Sequence, residues 1–128
     1  MRHTVRLLLL LEGASFVFAG LVHFGVLARG YEHGSAAIAE SVIGAVLLVA
    51  LTLTWVLPAW ARALGIAAQA FALLGTLVGA FTIAIGVGPR TVPDVVYHAV
   101  ILLVLAWGLV VTARATAGVR GTPALVER

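Results

Sequence analysis

The sequence predicts an all-α, polytopic membrane protein, an antiparallel four-transmembrane-helix bundle with both termini on the cytoplasmic side. Three observations carry this expectation. Of 128 residues, 62% are hydrophobic and only 10% are charged, whereas soluble domains carry about 25% charged residues. The apolar residues fall into four stretches, each near the roughly 20 residues that cross a hydrocarbon core. All eight basic Lys/Arg positions are arginines, and they gather at the ends of those stretches.

The stretches fix approximate spans at residues 7–28, 35–57, 62–87 and 93–115. Together they make one transmembrane domain, residues 1–117, and leave 118–128 as a flexible cytoplasmic tail with Gly, Pro and charge. In the first span, Arg2 and Arg6 before a leucine run resemble a secretory signal. Glu12 interrupts that run and no small-x-small cleavage site follows, so the segment reads as a retained helix. Pro58 marks the turn between spans two and three. Gly86, Gly88 and Pro89 break the third span. Thr91 then reads as an N-cap with Asp94 at the third helical position, the pattern of a capping box.

Orientation follows from the arginines. With the N-terminus inside, Arg2, Arg6, Arg62, Arg114, Arg120 and Arg128 face the cytoplasm and Arg29 and Arg90 face out. This is the positive-inside pattern, and it places the chain in the inner, or cell, membrane as a multi-pass protein. Trp55, Trp60 and Trp107 near the inner helix ends fit interfacial anchors. The absence of Cys excludes disulfides and thiolate chemistry. Scattered arginines are not the one-sided basic footprint of a nucleic-acid binder. Short connections predict antiparallel neighbours. The stripe of Gly65, Ala72, Gly75 and Gly79 predicts close helix packing.

Polar side chains inside apolar spans are the candidates for function, because one ionisable group at a membrane helix centre costs about 2.5–3.5 kcal/mol on insertion scales. Glu12 and His23 lie on the first span, Glu40 on the second, Gln69 on the third and His98 on the fourth. Glu12 and His23 share a helical face, separated along the axis by about 16 Å. Running the helices up and down divides the set by depth. His23, Glu40 and His98 are expected to converge in the outer half as a ligand-binding cluster, with His33, Arg90 and Asp94 as rim residues. Glu12 and Gln69 are expected to pair in the inner half, with a structural role.

Two histidines and a glutamate match an open divalent-metal site in donor type. His23 and His98 could instead be axial ligands of a haem. Neutral imidazole and carboxyl groups also suit a quinone head group. The leading expectation is therefore a small membrane binding protein or subunit holding a redox lipid such as a quinone, another small molecule, or a metal. Expected partners are the lipid bilayer and either a second copy of the chain or a membrane redox complex. One alternative is a proton-coupled transporter that works as a dimer and titrates Glu12 and Glu40. Another is a structural accessory subunit whose polar groups satisfy only one another.

The segments Glu12-Gly13-Ala14-Ser15-Phe16-Val17-Phe18-Ala19-Gly20-Leu21-Val22-His23-Phe24 and Ala39-Glu40-Ser41-Val42-Ile43-Gly44-Ala45 resemble the DoxX-like group of small four-helix membrane proteins. That group often has a Glu early in helix two followed by Gly and an aliphatic run, and its third helix is rich in Gly, Ala and Leu as here. The resemblance implies a bundle and, for some members, a place in membrane redox complexes. It implies no particular reaction. His23, Gln69 and His98 belong to no motif of that group. The small multidrug-resistance family also has four short helices and a Glu in the first. Its loops and aromatic surroundings differ, and it has no His in helices one and four.

Overall fold

The computed structural model describes residues 2–115. The expected tail at 118–128, with Arg120 and Arg128, lies outside the described residues. Four helices follow in order: α1 (Arg2–His23), α2 (Gly34–Val56), α3 (Ala61–Ala84) and α4 (Val92–Arg114). A single 3-10 turn, Pro58–Trp60, leads into α3. Each helix is long and apolar enough to span a membrane, and neighbours pack antiparallel. The start of α1, the end of α4 and the α2–α3 turn share one end of the bundle, the termini end. The α1–α2 and α3–α4 loops share the other, the loop end.

The surface is apolar nearly all round. Leu11, Phe18, Val49, Leu74, Phe81 and Leu103 are each about half exposed or more, on all four helices. An outward face of this composition is the lipid-facing surface of a polytopic membrane protein, since water would impose a polar face on each helix.

Glycine sets where the two helices entering the loop end stop. Gly25 has φ +73° and Gly86 has φ +83°, backbone that glycine adopts without steric cost. At the first, Val26 N donates to Leu21 O (3.0 Å) and Gly25 N to Val22 O (2.9 Å). At the second, Val87 N donates to Thr82 O (2.9 Å) and Gly86 N to Ile83 O (3.1 Å). Both are Schellman closures, which satisfy the last carbonyls of a helix. Helix α1 therefore ends at His23, short of the Ala28 that hydropathy alone suggests. At its other end α1 reaches back to Arg2, so the first turn carries charge. Helix α4 starts as expected, with Thr91 and Asp94 forming a capping box.

Arginines close the termini end. The Arg6 guanidinium donates to Thr54 Oγ1 (3.0 Å) and Thr54 O (2.8 Å) and lies 5.1 Å from the Trp55 ring centroid. Arg62 donates to Ala113 O (2.8 Å). Both reach carbonyls in the last turns of neighbouring helices, where the helix dipole favours a cation.

The core is thin and depends on close backbone approach. Leu9, Phe16, Leu47 and Leu105 are its largest fully buried apolar side chains. Helices α1 and α2 meet at Gly13 and Gly44. A Cβ on Gly44 would lie 3.2 Å from Val17 N and 3.3 Å from Gly13 O, both backbone atoms that cannot turn aside. The Gly75-x-x-x-Gly79 stripe packs inside the chain, Gly75 against Ile43 of α2 and Gly79 against His98 of α4. Gly44→Ala should therefore push α1 from α2 and cost about 1–3 kcal/mol, read as a lower thermal midpoint in detergent. Gly34→Ala, with nothing within 4 Å of its added Cβ, should leave that midpoint unchanged.

Candidate functional site

Near the loop end, three helices meet in a row of three side chains. His23, the last residue of α1, places Nδ1 2.7 Å from Glu40 Oε2 of α2 and Nε2 2.9 Å from Asp94 Oδ1 of α4. All three residues are buried, at 4%, 4% and 6% exposure. Asp94 Oδ2 turns the other way and accepts from Thr91 N (3.1 Å) and from the Thr91 hydroxyl. The carboxylate that caps α4 thus also anchors the end of α1. The α1–α2 loop returns to the same point, with His33 N donating to His23 O (3.0 Å).

Two protons satisfy this row. Either both imidazole N–H groups donate to carboxylates, or one ring nitrogen donates while the other accepts from a protonated carboxyl. The imidazolium form sums to +1 − 1 − 1 and the neutral form to 0 − 1 + 0, so both leave one net negative charge shared by the contacts of His23. Sharing a buried charge over a hydrogen-bonded row lowers the cost of its burial.

The expected cluster of His23, Glu40 and His98 is thereby rearranged. His23 and Glu40 meet directly. His98 does not bond to His23; its Nδ1 donates to Asp94 O, 2.8 Å away in its own helix, and its ring meets Tyr97 edge to face at 5.7 Å. The reason is depth. Because α1 stops at His23, that residue lies level with Asp94, one helical turn nearer the loop end than His98. Asp94, expected at the rim, is buried at the centre. His33 is the N-cap of α2, its Nδ1 accepting from Ala36 N (3.3 Å) and Ser35 Oγ (3.2 Å). Arg90 is exposed and lies over Gly86, so of the expected rim only His33 borders a cavity that Glu40 also borders.

This geometry does not fit the metal or haem expectation. A metal ligand needs a free lone pair, and both ring nitrogens of His23 are engaged by carboxylates. Among the described residues no group of three His, Cys, Asp or Glu side chains is arranged to hold a metal ion.

Two cavities flank the row, each of about 280 Å³. One lies between α1 and α4, where Phe18, Tyr31 and Tyr97 surround the outer edges of His23 and Asp94. The Tyr97 hydroxyl accepts from Ser15 Oγ (3.2 Å) and its ring meets Phe16 edge-on at 6.2 Å. The other lies between α2 and α3 under the 87–89 segment, with Ile43, Val78 and Val87 as apolar wall. Glu40 and His98 both line this second cavity. Glu40 Oε1 is buried and has no hydrogen-bond partner among the described residues.

Nearer the termini end, Gln69 Nε2 donates to both oxygens of Glu12, at 3.0 and 3.1 Å. Glycine makes the room: a Cβ on Gly108 would lie 2.5 Å from Glu12 Oε1 and 2.7 Å from Gln69 Nε2. Glu12 takes no part in the His23 row. The pair joins α1 to α3 across a face of α4 that carries no side chain. The Gly108 contribution has a sequence signal only in retrospect, as a lone glycine within an otherwise unbroken apolar helix.

No protein-family model, curated protein or solved structure matches this chain. The DoxX-like resemblance of the first two helices therefore yields no family assignment, and the functional reading rests on the site itself.

Two outcomes follow from the site's packing. His23→Ala leaves two buried carboxyl groups without their shared partner and should cost about 3–5 kcal/mol, whereas His98→Ala, which removes one bond to a carbonyl, should cost about 0.5–1.5 kcal/mol. Thermal unfolding in detergent ranks the two, and equal losses would contradict the central place of His23. Gly108→Ala should separate Glu12 from Gln69 and lower the midpoint, with partial recovery when Gln69 is shortened to Ala in the same chain.

Proposed function

We propose that this chain is a small integral membrane binding protein, or the ligand-holding subunit of a membrane complex. Its ligand is a lipid-soluble small molecule, a redox lipid being one such class, whose polar head enters the cavity between α2 and α3. The observation that carries this reading is the unpartnered, buried Oε1 of Glu40 beside that cavity. Leaving such an oxygen unsatisfied costs about 1–3 kcal/mol or more. A ligand that bonds to it recovers that cost; Gln69 Oε1 is also buried and unpartnered, but Gln69 lines neither cavity beside the row.

Two further features support the reading. The walls are apolar while the polar groups are few and grouped, the usual make-up of a small-molecule site. An engineered cavity of about 150 Å³ holds a benzene, so about 280 Å³ accommodates one substituted ring. His23, itself held by Asp94, engages Glu40 Oε2 and leaves Oε1 unbonded on a residue that lines the cavity. In our reading the loop end faces outward and the termini end faces the cytoplasm, in keeping with Arg2, Arg6, Arg62 and Arg114 at the latter and Arg29 and Arg90 at the former.

Native mass spectrometry of protein released from its own membranes should show a retained small molecule. That molecule should be lost from Glu40→Gln and His98→Ala variants that still fold. A bare wild-type chain that also takes up no added alkylated aromatic ring would remove the proposal and favour a purely structural role. Orientation has its own test, made simple by the absence of cysteine. In intact cells an impermeant maleimide should label Arg90→Cys and should reach Ala59→Cys only after the membrane is opened.

A further inference from the structure

The hydrogen-bond state of the cavity between α2 and α3 narrows its ligand further, on the premise that this cavity is the binding site. Glu40 Oε2 is committed to His23 Nδ1. If Glu40 is ionised, Oε1 is a bare acceptor. If the proton between Glu40 and the ring sits on Oε2, Oε1 is again a bare acceptor. His98 gives the same result by tautomer. The carbonyl of Asp94 can only accept, so the proton of the neutral ring sits on Nδ1 and Nε2 presents a lone pair. That nitrogen lies over Gly79, where an added Cβ would come within 3.0 Å of it, and it has no hydrogen-bond partner among the described residues.

The hydroxyl protons along the wall are already spent. Thr76 donates to Ala72 O (2.7 Å), Thr82 to Gly79 O (2.7 Å) and Ser35 to His33 Nδ1 (3.2 Å). His33, half-buried where α2 begins, keeps its Nε2 hydrogen. With two protons in the row and the Nδ1–H tautomer of His98, Glu40 Oε1 and His98 Nε2 are both acceptors without a partner among the described residues.

We infer that the site selects an apolar molecule whose head donates hydrogen bonds, a phenolic or alcoholic hydroxyl, over the matching ether or carbonyl compound. Glu40 Oε1 and His98 Nε2 are the two acceptors that read it. An ammonium head would bring three donors to two acceptors, whereas one or two hydroxyls match in number. A site built to bond a hydroxyl rejects the analogue lacking it, because its own buried polar atoms are then left unpaired.

The test needs no variant. Binding of 4-ethylphenol and its methyl ether, 4-ethylanisole, to the full chain in phosphatidylcholine nanodiscs is measured by ligand-detected NMR, with empty nanodiscs subtracted. The phenol should bind about tenfold tighter or more. Equal affinities, or a preference for the ether, would overturn the donor rule and leave the cavity reading standing. If neither compound binds, the cavity reading itself fails. In Glu40→Gln the amide can turn its NH2 toward the cavity, and the preference should shrink severalfold; a preference kept at full size would remove Glu40 from the recognition.

Discussion

The imidazole of His23 between two carboxylates is the interaction on which the loop end depends. Each partner comes from a different helix, so the row joins α1 to α2 and to α4 through one ring. All three side chains are buried in the protein, and a helix that withdrew would leave a buried carboxylate alone. The row therefore fixes the axial register of three helices more sharply than contacts among Leu, Val and Ala can. Asp94 doubles the constraint. One of its oxygens closes the N-terminus of α4 and the other holds the end of α1, so the capping of one helix and the position of another are a single event.

The second polar pair works differently. Glu12 and Gln69 join α1 to α3 across the bare backbone of Gly108. No further polar group competes for the carboxylate oxygens, although the Gln69 amide oxygen is itself buried without a partner among the described residues. The row at the loop end is filled on the His23 side, yet it leaves one carboxylate oxygen unbonded on a residue that lines a cavity. That contrast separates a polar group kept for packing from one that can serve a ligand. Both are buried, both lie on apolar helices and each keeps one unpartnered oxygen; the difference is that Glu40 lines one of the two cavities beside the row and Gln69 lines neither.

The chain's small residues explain how polar groups can be placed so deep. Gly13 against Gly44 lets α1 and α2 approach until backbone meets backbone, and Gly79 gives His98 its place. In a bundle without a water-driven force between helices, such close packing supplies much of the association. It also sets a cavity on either side of the His23 row, one between α1 and α4 and one between α2 and α3.

The sequence by itself determined the class and most of the skeleton. Four apolar stretches of spanning length, the arginines at their ends and the Thr91–Asp94 cap are local signals, and local signals survive without knowledge of neighbours. Depth was also legible in part, since residue count along a helix gives height in the bundle. Residue count alone therefore brings Glu12 to the level of Gln69, and His23, Glu40 and His98 to a common half of the bundle. Which side chain completes the row follows from how the helices pack, with Asp94 and not His98 meeting His23. Gly25 ends α1 in a left-handed turn, so His23 stands at the end of its helix, level with Asp94 in the first turn of α4 and not with His98 one turn further in. Rotation of each helix about its axis, and the acceptor left open on Glu40, are set by packing between helices. An apolar helix whose every face is hydrophobic carries no sequence record of which face turns inward.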